Sequence, residues 1–195
     1  MTQLGIFSGV PRDFLAYLAT DGKTPSTAFN RANLPRVGLY DSAGDTGNVP
    51  LTTQVMTSVP VFLVGGEVVT NLSFCSGATA AGTPTNWWFA LYSSAATPAL
   101  LAQSADQTTG AWAANTIKTL ALSAAQTITV TGVYWAAIMV KATTVPSLLG
   151  AIGVPPIVTG ERKLAQTSGA ALTTTAPGTI ATPAVQNFAP YVVLT

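Results

Sequence analysis

The chain has 195 residues, of which 48% are hydrophobic and only 8% charged, with a formal net charge of +1 and no histidine. That balance is the reverse of a disordered chain's, and a chain of this length can bury about 70% of its unfolded surface in one domain without disulfides or metal. The few basic residues are scattered apart from Arg162-Lys163, so no electrostatic footprint for nucleic acid is present, and the lone Cys75 leaves no C-x-x-C spacing for metal or redox chemistry.

The N-terminal quarter carries eight of the fifteen charges, and a boundary is expected near Val49-Pro50-Leu51. Residues 1–50 therefore read as an arm or docking segment, and residues 51–195 as the main domain. In the arm, Pro11-Arg12-Asp13 can open a short helix, because Pro suits the first helical position and Asp the first turn. Phe14, Leu15 and Leu18 would share its apolar face, and Asp21-Gly22 would stop it. Ala43 to Asn48 reads as a flexible turn. Such an arm cannot bury its own apolar residues and should lie on the domain or on a neighbouring subunit.

The remainder reads as strands. Val61-Phe62-Leu63-Val64 is a short buried run before Gly65-Gly66. Val68, Thr70, Leu72 and Phe74 alternate with more polar neighbours, which places the even positions toward a core. Trp87-Trp88-Phe89-Ala90-Leu91-Tyr92 is almost continuously apolar, as for a strand covered on both faces. Leu100-Leu101-Ala102 begins another strand after a turn. Ile117 to Leu122 and Thr127 to Val130 form two further short elements. Val133 to Val140 is the strongest strand of all. It is far shorter than the roughly 20 apolar residues of a membrane-spanning helix, so a membrane partner is not expected. Residues 150–190, rich in Thr, Ala, Pro and Gly, read as a long excursion over the surface, closed by Tyr191-Val192-Val193-Leu194 as a final strand. Turn signals about every ten residues predict a mostly β fold, an antiparallel, jelly-roll-like β-sandwich.

Catalytic chemistry is hard to build from these residues. Without histidine there is no Ser-His or Cys-His nucleophile. Outside the arm the only carboxylates are Glu67, Asp106 and Glu161, and no spacing pairs them for acid/base work. Asp41 to Asn48 offers oxygen ligands but reads better as a turn than a calcium loop. No catalytic, cofactor or metal residues are expected. Cys75 reads as a small buried hydrophobe. Of the four tryptophans, Trp88 and Trp135 lie inside apolar runs and read as core. Trp87, near a strand start, and Trp112, between small residues, are the two candidates for ligand contact, although burial is the more frequent fate of such rings.

Trp88-Phe89-Ala90-Leu91-Tyr92-Ser93, then residues 100–108, Thr119-Leu120-Ala121-Leu122 and Thr131-Gly132-Val133-Tyr134-Trp135-Ala136-Ala137, resemble a β-sandwich module found in virion proteins of phages that infect actinobacteria. The resemblance covers about residues 55–195 and carries no catalytic residues. It implies a non-enzymatic structural protein of a bacteriophage particle, a minor tail or capsid-decoration protein. Such a protein is made in the host cytoplasm and located in the virion. Its expected partners are other virion proteins and further copies of itself, with trimers a natural closed form. The alternative is a carbohydrate- or receptor-binding module of a phage tail, with a host-surface glycan as ligand.

Overall fold

The computed structural model describes Asn33, residues 39–42, 51–161 and 163–195. Among these residues there are twelve strands and no helix, and every strand pairing is antiparallel. The helix expected after Pro11 and the turn expected over residues 43–48 lie outside the described residues.

The largest sheet has six strands in the order β10-β9-β2-β7-β4-β5. Its centre is β2 (Met56–Leu63), β7 (Gly132–Lys141) and β4 (Asn86–Tyr92), flanked by β5 (Leu100–Gln103), β9 (Gln166–Ser168) and β10 (Ala184–Val185). The two apolar runs of the sequence are β4 and β7, and they are paired over seven residues, from Asn86 opposite Lys141 to Tyr92 opposite Trp135. Side chains alternate across a strand, so a continuously apolar strand must feed two cores. Trp87, Phe89 and Leu91 of β4 join Tyr134, Ala136, Ile138 and Val140 of β7 on the inner face. Trp88, Ala90 and Tyr92 join Trp135, Ala137 and Met139 on the outer face.

The inner face packs on a second sheet, β12-β3-β6, made of β3 (Val68–Cys75), β6 (Ile117–Thr127) and β12 (Val192–Leu194). Phe74 of β3 meets Phe89 of β4 with ring centroids 4.7 Å apart. Two antiparallel sheets on one shared core are consistent with a β-sandwich. The closing strand β12 pairs with residues 72–74, far back in the chain. The expected alternation of β3 holds only at Leu72 and Phe74. Val68 and Thr70 are exposed and Val69 is buried instead. The cause is a break in register between Val69 and Asn71, opposite a stretch of β6 with extra residues. A bulge of this kind switches the face that each side chain occupies. β6 continues from the element expected at residues 117–122 as far as Thr127, whereas Ile128 to Val130, expected in a second short strand, carry no strand.

A small third sheet joins β1 (Tyr40–Asp41), β8 (Leu149–Ile152) and β11 (Phe188–Pro190) in the order β1-β8-β11. Residues of the N-terminal arm are thus woven into the domain. Asn33 caps the start of β12, donating its Nδ2 to Pro190 O at 2.8 Å and accepting from Val192 N at 2.9 Å. Ser42 Oγ accepts from Leu148 N at 2.9 Å. Glycine makes this approach feasible, because a Cβ on Gly77 would lie 2.3 Å from the Asp41 carboxylate.

The outer face of the large sheet is covered by residues 169–183, a strap with no strand of its own. Ala176 and Ile180 of the strap are buried against Met56, Trp88, Tyr92 and Trp135, with Leu172 partly buried beside them. An irregular segment laid on an apolar face must still satisfy its backbone. Here the sheet supplies the partners. Trp88 Nε1 donates to Thr173 O at 2.7 Å, Tyr92 Oη to Pro177 O at 2.8 Å, and Gln103 Nε2 to Thr174 O at 2.7 Å. Gln103 Oε1 accepts from Ala176 N at 2.6 Å. Leu100 N donates to Gly178 O, and Ile180 N to Pro98 O.

Two substitutions test this account by urea unfolding. Trp88→Ala removes a fully buried ring and a carbonyl partner, and should cost about 3–5 kcal/mol, with proteolytic cleavage appearing first in residues 169–183. Thr57 Oγ1 is buried with no hydrogen-bond partner, so Thr57→Val should raise stability by about 1 kcal/mol.

Candidate functional site

The three carboxylates of the main domain are each spent on nearby amides. Glu67 Oε2 accepts from Val64 N at 2.8 Å in the β2–β3 turn. Asp106 accepts from Trp87 N at 3.0 Å and Asn86 Nδ2 at 2.7 Å, fixing the start of β4. Glu161 Oε2 accepts from Ile157 N at 2.7 Å and Val158 N at 3.3 Å. They sit on separate elements and do not converge. Among the described residues no group of three or more His, Cys, Asp or Glu could hold a metal ion.

The two tryptophans expected as ligand contacts are both corrected by the structure. Trp87 is 2% exposed and Trp112 is 1% exposed. Their rings pack on each other at 5.1 Å and on Phe89 at 5.8 Å, closing the inner core. Each indole N–H is consumed, by Gly110 O at 2.7 Å and by Thr116 O at 3.0 Å. Cys75 is half-buried on the outer face of the second sheet rather than in the core, and burial raises its thiol pKa.

A different tryptophan lines a cavity on the outer face of the large sheet. This cavity, of about 550 Å³, lies between the β4–β5 turn (residues 94–98), the end of the strap (residues 180–183) and Gly160, with Trp135 and Gln166 at its wall. None of the described residues that line it is charged. Its size falls within the roughly 300–1,000 Å³ of small-molecule sites. No protein-family model matches the chain, and no curated protein matches it.

Two polar groups distinguish this wall. Trp135 is 6% exposed and Gln166 is 3% exposed, so both are nearly removed from bulk water. Trp87, Trp88 and Trp112 all donate their indole N–H to a backbone carbonyl. Trp135 Nε1 has no such partner among the described residues, and neither has the side-chain amide of Gln166. Directly across the strand pair from Gln166 stands Ser58, whose buried Oγ is also without a partner. Cross-strand partners share a face, so these groups gather on one side of the sheet. Their residue types are visible in the sequence. Their lack of partners is set by where the strap ends, which no local pattern encodes.

A second depression, of about 420 Å³, lies on the outer face of the β12-β3-β6 sheet beside Cys75, Ile117 and Tyr191. It has no unpaired buried polar atom in its lining.

The contrast among the indoles is open to measurement. In deuterated water the Trp135 Nε1–H should exchange well before the other three indole protons, as read from the four indole cross-peaks of the 15N-labelled protein. Equal protection of all four would contradict the unpaired donor.

Proposed function

We propose that this chain is a structural protein of a bacteriophage particle, a minor tail or capsid-decoration component that works by assembly with other virion proteins and with copies of itself, not by catalysis. The observation that carries the reading is the β8–β9 connection and its flanks. There Ile152, Val154, Ile157, Val158 and Leu164 are all exposed, Ile157 by 83%. Exposed apolar residues scattered singly need no explanation, but several on one connection mark an interaction surface. This one is also held in shape, because Glu161 ties down the amides of Ile157 and Val158 and Lys163 Nζ donates to Pro183 O.

Two further features support the reading. The surface has few charges to keep copies apart, with 8% charged residues in the chain. The three carboxylates outside the arm are engaged by nearby amides on separate elements, an arrangement that fits assembly better than paired acid/base work. The resemblance to virion β-sandwich modules, over about residues 55–195, implies the same setting, and the two sheets on one core suit the jelly-roll-like form it carries. On this reading the protein is made in the host cytoplasm and resides in the virion.

Light scattering on the purified protein should give a closed homo-oligomer, a trimer in the simplest case, at micromolar concentration. Ile157→Asp with Val158→Asp should return it to a monomer with an unchanged far-ultraviolet spectrum. In electron micrographs, phage particles with a tagged C-terminus should carry label at the tail or over the shell. Unlabelled particles would end the virion assignment.

A further inference from the structure

We infer that the cavity at Trp135 and Gln166 is a binding site for a neutral sugar unit, recognised by hydrogen bonds to the Trp135 indole N–H and the Gln166 amide. The inference starts from an inconsistency in how the fold treats its tryptophans. Three of the four indole donors are matched to a backbone carbonyl within 3.0 Å. Trp135 Nε1 has no carbonyl partner among the described residues and is not among the buried polar atoms that lack one, so it is left available to whatever occupies the space beside it. Trp135 is a tryptophan that lines a cavity. Gln166 repeats the pattern on the neighbouring element, with a side chain 3% exposed and an amide that no described residue engages.

The lining selects the class of ligand. None of the described lining residues is charged, and the Lys163 ammonium beside the wall is already held by Pro183 O, so a phosphate or carboxylate would have to draw it away from that carbonyl. A purely apolar ligand would cover Trp135 Nε1 and Gln166 and leave both unpaired. What fits is a neutral molecule with donors and acceptors around its edge and small apolar faces between them. The wall offers the same mixture: hydroxyls from Ser94, Thr97 and Thr182, and apolar surface from Pro98 and Ile180. A pyranose or furanose ring has that character. Gln166 can donate and accept at once, which matches a pair of adjacent hydroxyls. The inference does not depend on placement in a virion, since such a site would work equally on a free domain.

The test uses the full chain, 15N-labelled, with its four indole cross-peaks as reporters. The probes are D-glucose, D-galactose, D-mannose and D-arabinose, with glucuronic acid and N-acetylneuraminic acid as charged counterparts. At least one neutral sugar should shift a single indole peak, the one absent in Trp135→Phe, with a dissociation constant on the order of 1–10 mM for a monosaccharide. The charged sugars should bind more weakly. Gln166→Ala should weaken binding by about three- to tenfold while leaving the other three peaks in place, so the test survives if Trp135→Phe fails to fold. Stronger binding of the matching methyl glycoside or trisaccharide would identify a glycan chain as the source, and equal binding a free sugar. If no neutral sugar moves that peak at a concentration on the order of 100 mM, well above the expected range, the cavity holds only water and the inference falls. It falls equally if all four peaks move together or if a charged sugar binds best.

Discussion

The structure depends on a single constraint: the central strands are apolar on both faces, so the large sheet must be covered twice. The first cover is ordinary, a second sheet whose Phe74 reaches into the ring cluster of Trp87, Phe89 and Trp112. The second cover is a strap without regular structure, and such a segment brings a row of unpaired backbone groups onto an apolar surface. The fold resolves this by placing polar atoms at the tips of otherwise apolar side chains. Trp88 and Tyr92 bury large rings against the strap and then donate to its carbonyls. The aromatic residues of β4 therefore act in two ways, as hydrophobic mass and as the hydrogen-bond partners that a neighbouring strand would otherwise supply.

Much of this was legible in the chain. The runs at residues 87–92 and 133–140 announced two-sided burial by having no polar alternation, and both became central strands. The Thr/Ala/Pro/Gly-rich stretch at residues 150–190 read as a surface excursion because it lacked either period; residues 169–183 do cross the outer face without a strand, but most of β8 and all of β9, β10 and β11 also fall inside it. Where reading failed, a non-local fact decided the outcome. The face of Val68 and Thr70 was reversed by a bulge whose extra residues lie in β6, some fifty positions away by chain. Trp87 looked exposed because it lies near a strand start, yet that start is held by Asp106 from beyond β5 through Trp87 N and Asn86 Nδ2. Trp112 sits in a loop among small residues, as expected, and those small neighbours are what let its ring be drawn inward against Phe89.

The scarcity of charge has a structural counterpart. The three main-domain carboxylates hold turns and strand starts in place, a job that Asn, Ser or Thr performs in more highly charged proteins as well. The arm follows the same economy: Asn33 and Ser42 anchor it through side-chain caps on backbone groups. With so few charged residues in the chain, much of its surface is made of hydroxyls, amides and small apolar groups. Recognition on such a surface rests on shape and short hydrogen bonds rather than on long-range attraction, which suits permanent contacts formed once.

The outer face of the sheet is finished unevenly. Over β4 and β5 every strap carbonyl in reach of Trp88, Tyr92 and Gln103 has its donor. Over β2 and β9 the polar groups run the other way: Ser58 and Ser168 have buried hydroxyls with no partner, and Gln166 opens on the cavity. Apolar residues at these three positions would have sealed the face at no cost in hydrogen bonds. The strap instead binds tightly at one half of the sheet and leaves hydrogen-bonding capacity unspent at the other. Packing alone gives no reason for that distribution, since it lowers stability on the side where it occurs. A ligand that supplies the missing partners would give one, and Trp135, whose ring belongs to the packed cluster while its N–H lacks an acceptor among the described residues, stands where the two halves meet.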